Sequence, residues 1–150
     1  MTVRLTRGEW DEITLRLLVR SGGLCEARTP ACLAAPDGRL GERRDGRVVR
    51  YSRHHRVPRG AGGSAEDDQH ALDRLLLLCG DGVAGCHGHV ESYRAEAFAR
   101  GLLVSQHETD PASVPLELAG GRRVLLDAFG GFYIDVGWAL PGLEKNQGLA

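Results

Sequence analysis

The first recognisable pattern is helical. Trp10, Ile13, Leu17 and Leu18 recur at the spacing of one helix face, and Thr6 with Glu9 three residues on forms a capping-box signature ahead of them. Gly22-Gly23 closes this predicted helix. Residues 39–46 are polar and predict a loop. "RVVRYSRHHRV", residues 47–57, is rich in β-branched and aromatic residues between Gly46 and Pro58 and predicts strand, with a bend near His54–His55 splitting it in two. Residues 60–69 predict a flexible, partly acidic loop. "ALDRLLLLC", residues 71–79, is a continuous apolar run whose length fits either a helical turn or a buried strand. After it, Val90, Tyr93 and Ala97 mark one face of a second helix, with Phe98 beside them and Gly101 as its C-terminal cap. Beyond Gly101, "VPLEL" and "RRVLLDAFGGFYIDVGW" are short β-like runs broken by paired glycines, which predicts hairpins, and residues 141–150 predict a loosely held tail.

Taken together these elements predict an α+β fold: a core with the N-terminal helix over residues 1–104 and a β-rich C-terminal extension, a hairpin appendage, over residues 105–150. The 150-residue length suits one core rather than two. Hydrophobic content of 42% and charged content of 26% are those of an ordinary globular chain, and no apolar run approaches the ~20 residues of a membrane span. "MTVRLTRGEW" lacks the apolar centre of a secretory signal, so the expected compartment is the cytoplasm, without membrane association.

Net charge is only −1, but its distribution is uneven. Between Arg39 and Arg59 eight arginines face only Glu42 and Asp45, a formal +6. Such a window fits a phosphate-binding face on a neutral body, or a solvated hairpin in a chain whose one lysine is Lys145.

The cysteines form two matched pairs, Cys25/Cys32 in "CEARTPAC" and Cys79/Cys86 in "CGDGVAGC", each with six intervening residues in a turn-rich setting. Two such knuckles are the usual way to build a four-thiolate structural zinc site, although the spacing within each is longer than the common two to four. Two disulfides or four buried thiols are the alternatives. The expected compartment disfavours the first, and the glycine- and proline-rich flanks disfavour the second.

His54 and His55 are adjacent on a predicted strand, so their side chains point to opposite faces. His87 follows Cys86 and opens the second helix, where the positive end of the helix favours a neutral imidazole and a nearby anion; as an isolated feature it fits a metal ligand or a simple capping residue. Glu91, one turn later, projects from the same side. His70, His89 and His107 are expected at the surface.

A cysteine pair, "SRHHRVPRGAGG", then "LLLLCGDGVAGCHGHVE" together resemble the HNH endonucleases of ββα-metal fold, and more narrowly the phage-encoded HNH proteins in which four cysteines hold a zinc around the nuclease motif. The resemblance covers residues 20–104. It implies His54 and His87 as ligands of a catalytic divalent metal (Mg²⁺, Mn²⁺, Ni²⁺ or Zn²⁺) and His55 as the general base. It also implies double-stranded DNA as substrate and, for phage relatives, a role beside terminase subunits or another phage protein in genome packaging within the host cytoplasm. Arg53, Arg56 and Arg59 are expected to hold the DNA backbone. The sequence departs from the motif at the asparagine: Arg74 stands at its position, expected to contact phosphate, and Asp73 is expected to brace the histidine loop. Two other readings are a catalytically weakened, zinc-stabilised DNA-binding or structural module, and a zinc-containing protein-interaction domain.

Overall fold

The computed structural model describes residues 4–58, 70–129 and 131–139. Helix α1, Arg7–Ser21, starts as the sequence predicts: Thr6 Oγ1 accepts from the Glu9 amide and the Glu9 carboxylate accepts from the Thr6 amide. Gly22, in the left-handed region, ends it.

The predicted strand over 47–57 resolves differently. Arg43–Arg44 (β1), in what reads as loop, and Arg47–Val48 (β2), at the start of the expected strand, make a small hairpin that turns through Asp45 and Gly46, both at positive φ. An Asp-Gly turn of this kind suits a two-residue hairpin because its twist matches that of the strands. The break therefore lies at Val49–Arg50, and Tyr51–His55 (β3) runs unbroken through the histidine pair. The apolar run resolves as a 3₁₀ turn, Leu72–Arg74, followed by strand β4, Leu75–Cys79.

Strand β4 is antiparallel to β3, with His54 opposite Leu76 and His55 opposite Leu75, and all five of its residues are buried. Burial on both faces requires a layer on each side, which is why four successive leucines occur rather than an alternating pattern. The two layers can be read from β3. Ser52 and His54 meet the second helix, whereas Arg53 and His55 meet Trp10 and Thr14 of α1. The hairpin is thus held between α1 and helix α2, Gly85–Ser92.

The long second helix of the sequence reading is interrupted. Tyr93, at φ −118° and ψ 63°, separates α2 from α3, Arg94–Ala99. The C-terminal segment forms a three-stranded antiparallel sheet of β5 (Leu116–Glu117), β6 (Arg122–Leu126) and β7 (Tyr133–Trp138). It is not an appendage. Leu116, Val124 and Leu126 belong to the same buried cluster as Leu17, the β4 leucines, Val90, Leu102 and Leu103, so the expected boundary at 104/105 falls inside one continuous core. A polar node ties the sheet down as well: Tyr133 donates to Glu26 at 2.7 Å, and Glu26 pairs with Arg20 at 2.8 Å with both charged side chains fully buried. Arg20 also donates to the carbonyls of Leu72 and Leu75, and Glu26 accepts from the Leu77 amide. Buried charge is tolerable only when satisfied in this way. No helix among the described residues is long and apolar enough to cross a membrane. Arg59, residues 60–69 and the predicted loose tail lie outside the described residues.

Candidate functional site

The two cysteine knuckles converge. One sulfur from each of Cys25, Cys32, Cys79 and Cys86 lies within 4.8 Å of the others, and no disulfide forms. The Cys79–Cys32 sulfur separation is 3.8 Å, against ~2.05 Å in a disulfide. Donors surround the sulfurs: Thr29 presents its amide and hydroxyl to Cys86, both at 3.2 Å, while the Leu33 and Cys86 amides point at Cys79, each at 3.3 Å. Hydrogen bonds from Cys25, Cys32 and Cys86 hold the Cys79 thiol far below its ordinary range. Four convergent thiols with amide donors aimed at them can bind a structural metal such as zinc. The long spacing in the second knuckle is managed by glycine. A Cβ on Gly80 would lie 2.1 Å from the Ala84 carbonyl oxygen, and one on Gly85 2.7 Å from that of Cys79. The loop doubles back on itself because neither end carries a side chain.

A second cluster lies nearby in sequence, on the α2 side of β3. His54, His87 and Glu91 offer donor atoms within 4.8 Å of one another. His54 is buried, and its Nε2 lies 2.9 Å from the Leu102 carbonyl oxygen, which can only accept, so the ring proton sits on Nε2 and the Nδ1 lone pair faces Glu91 Oε1 at 3.7 Å. His87 is set by a short chain: the Ser52 hydroxyl donates to the Gly80 carbonyl and accepts from His87 Nδ1 at 2.6 Å, leaving the His87 Nε2 lone pair as the ligating one. Burial brings the His54 pKa down to about 3 and also lowers that of His87, so both imidazoles are neutral. A lone pair and a carboxylate oxygen facing each other repel unless a cation lies between them. Their separation is close to the ~3–3.5 Å expected between neighbouring ligands of a small divalent ion. The donor set therefore fits a metal.

This cluster forms one wall of a cleft of about 300 Å³ that Arg53, His55, Pro58, Arg94 and Leu103 complete. Arg94 pairs with Glu91 at 3.3 Å, and Arg53 lies over the Trp10 ring at 4.3 Å while donating to Thr14 Oγ1 at 2.7 Å. His55 borders the cleft from the opposite face of β3, with its Nε2 3.2 Å from His70 Nδ1.

Two expected DNA contacts are overturned by burial. Arg56 is completely buried and donates to the carbonyls of Gly101, Asp73 and Val114 at 2.8, 2.8 and 3.0 Å, so it holds the end of β3 to the C-terminal segment instead of touching phosphate. Arg74 is only 7% exposed in the turn before β4, where a phosphate cannot reach it. Asp73 is buried too, and its backbone carbonyl accepts from Arg56 at 2.8 Å, which ties it to the end of the histidine strand. Arg59 lies outside the described residues.

Glu91 belongs to the site as fully as His54 and His87, and its i, i+4 spacing from His87 was the signal for it. Ser52 and the Leu102 carbonyl had no signal, because each acts only through a contact between distant segments. Of the three histidines expected at the surface, His107 is exposed, whereas His70 is half-buried against Trp10 and His89 is half-buried, stacked on Tyr93 at 4.4 Å. Comparison of the chain with protein-family models, curated proteins and solved structures returns no match.

Proposed function

We propose that this chain is a metal-dependent endonuclease of the HNH type that cuts or nicks double-stranded DNA. The observation that carries this reading is the facing pair of His54 Nδ1 and Glu91 Oε1, completed by His87, on a strand–strand–helix frame beside a cysteine cluster. His54, His87 and Glu91 would hold a divalent cation, which would supply Lewis-acid polarisation of the scissile phosphate and neutralise charge on the leaving oxygen. The residues of the chain do the rest. His54 and His87 stay neutral because they are buried, and the Leu102 carbonyl and Ser52 fix which nitrogen each presents. His55 takes the proton from the attacking water, whose oxygen bonds to phosphorus as the P–O bond to the leaving sugar oxygen breaks. Arg53 and Arg94 border the cleft where the phosphate would sit, and Arg39, Arg43, Arg47 and Arg50 are exposed on and around the basic hairpin. These replace Arg56 and Arg74 as the phosphate contacts. The four cysteines hold a structural zinc that ties the N-terminal loop to the start of α2, and the packaging role beside terminase remains part of the proposal.

Conversion of supercoiled plasmid to open circles, screened with Mg²⁺, Mn²⁺ and Ni²⁺, tests it. The expected result is metal-dependent nicking that EDTA stops, that His54→Ala and Glu91→Gln lose through weaker metal binding, and that His55→Ala loses with DNA binding retained. DNA binding without cleavage in every metal would instead favour the zinc-stabilised binding module.

A further inference from the structure

We infer that His70 is the positioning residue for His55, accepting the His55 Nε2 proton and thereby committing its Nδ1 to the water; the catalytic consequence rests on the nuclease reading, the geometry does not. His55 ends β3 and His70 precedes the 3₁₀ turn, fifteen residues later, yet their ring nitrogens lie 3.2 Å apart with the rings inclined at 60°. A hydrogen bond between two neutral imidazoles fixes both tautomers at once, because each ring has one N–H and one lone pair. Either His70 accepts from His55, or it donates and leaves the His55 proton on Nδ1, where it cannot serve as a base.

The surroundings favour the first arrangement. With Nδ1 engaged by His55, the other nitrogen of His70 is Nε2, and His70 lines a second cleft of about 400 Å³ on the far side of the strand, bordered by Glu9 and Glu12 of α1. Glu9 and Glu12 on the border of that cleft favour a His70 proton on Nε2, which makes Nδ1 the acceptor. The setting is also rigid. The Trp10 ring packs edge-on against His70 at 4.7 Å and His55 at 6.4 Å, and it carries Arg53 at 4.3 Å. Helix α1 is therefore more than a cover for β4: through Trp10 and Thr14 it holds two residues of the catalytic cleft. A base oriented by a third group is the common logic of imidazole catalysis, and loss of such a supporting partner typically costs ~10–100-fold.

The test uses the zinc-loaded full chain in three forms: wild type, His70→Leu and His70→Asn. Leucine removes the acceptor, whereas the asparagine carbonyl offers one close to the position of Nδ1. The expected nicking result is a roughly 10–100-fold lower kcat for His70→Leu at unchanged KM for DNA, with substantial recovery in His70→Asn. Long-range ¹H–¹⁵N correlation NMR should show His55 as the Nε2–H tautomer in wild type and His70→Asn, and as a mixture in His70→Leu. Thermal melts and zinc content identify any variant that fails to fold, and the wild-type tautomer decides the question in that event. His55 protonated on Nδ1 in the wild type, or full activity in His70→Leu, overturns the inference. A wild type that shows the Nε2–H tautomer but nicks nothing sinks the nuclease reading and leaves the positioning contact standing.

Discussion

Replacing Arg56 by methionine should destabilise the chain by about 3–5 kcal/mol while leaving DNA affinity nearly unchanged in the protein that remains folded. The magnitude follows from what the guanidinium touches. It is completely buried and makes three well-formed bonds to carbonyls, Nε to Gly101 at 2.8 Å, Nη1 to Asp73 at 2.8 Å and Nη2 to Val114 at 3.0 Å, with a longer one to Pro111 at 3.4 Å. A hydrogen bond from a charged donor contributes roughly 1.5–3 kcal/mol, and each carbonyl stranded without one costs roughly 1–3 kcal/mol. Opposing this is the cost of burying the charge, which lowers the Arg56 pKa to about 10, still high enough to keep the cation at neutrality. Methionine relieves that cost but leaves three acceptors unpaired, and the net falls near the range for breaking a buried charged cluster. For a chain of this size the corresponding fall in Tm is roughly 10 °C. Urea unfolding followed by circular dichroism, beside fluorescence-anisotropy titration with a DNA duplex, measures both quantities. A loss below ~1 kcal/mol accompanied by a clear drop in DNA affinity would refute the reasoning and return Arg56 to the DNA-facing surface.

Gly88→Ala should destabilise the fold by roughly 1–3 kcal/mol although alanine is normally the better helix former, because its Cβ would lie 2.5 Å from the Val83 carbonyl carbon; a rise in Tm would contradict this packing. The purified chain should contain a structural zinc on elemental analysis under reducing conditions, and its removal by chelator should lower the melting temperature sharply; an unchanged melt would show that the cysteines do not hold the fold. His54 stays neutral in the fold down to about pH 3, whereas it protonates near 6.5 when unfolded, so its contribution is present above pH 6.5 and lost as pH falls towards 3. Without added divalent cation, wild type should therefore lose ~2 kcal/mol relative to His54→Gln between pH 7 and pH 5, and a gap independent of pH would mean that His54 is exposed. Tyr133→Phe should cost about 1 kcal/mol or more through the lost bond to Glu26, read from the same urea melts; no change would deny that the C-terminal sheet is fastened there.

Much of the local structure was legible because it depends on neighbours in sequence. The Thr6–Glu9 box, the Gly22 stop and the opposed faces of His54 and His55 follow from backbone periodicity and from groups within one turn of each other. The Asp45–Gly46 turn carried its own signal within a stretch that read as loop, and the Val49–Arg50 break was hidden by residues suited to strand on both sides. Tyr93, equally helix-compatible, concealed the division between α2 and α3.

What the residue order by itself determined was the chemical inventory: two matched cysteine pairs, a histidine pair on a strand, and a histidine with a carboxylate one helical turn beyond it. Which arginines face outward was decided only by tertiary structure. Arg53 and Arg56 lie three residues apart on one basic segment, yet one borders a cleft and the other is completely buried among carbonyls of the segments at residues 73, 101 and 111–114. The physical reason is that burial of a charge depends on acceptors brought from elsewhere in the chain. Arg56 finds carbonyls of residues 73, 101 and 114, just as His54 finds that of Leu102 and His55 finds His70, and no local pattern encodes those meetings.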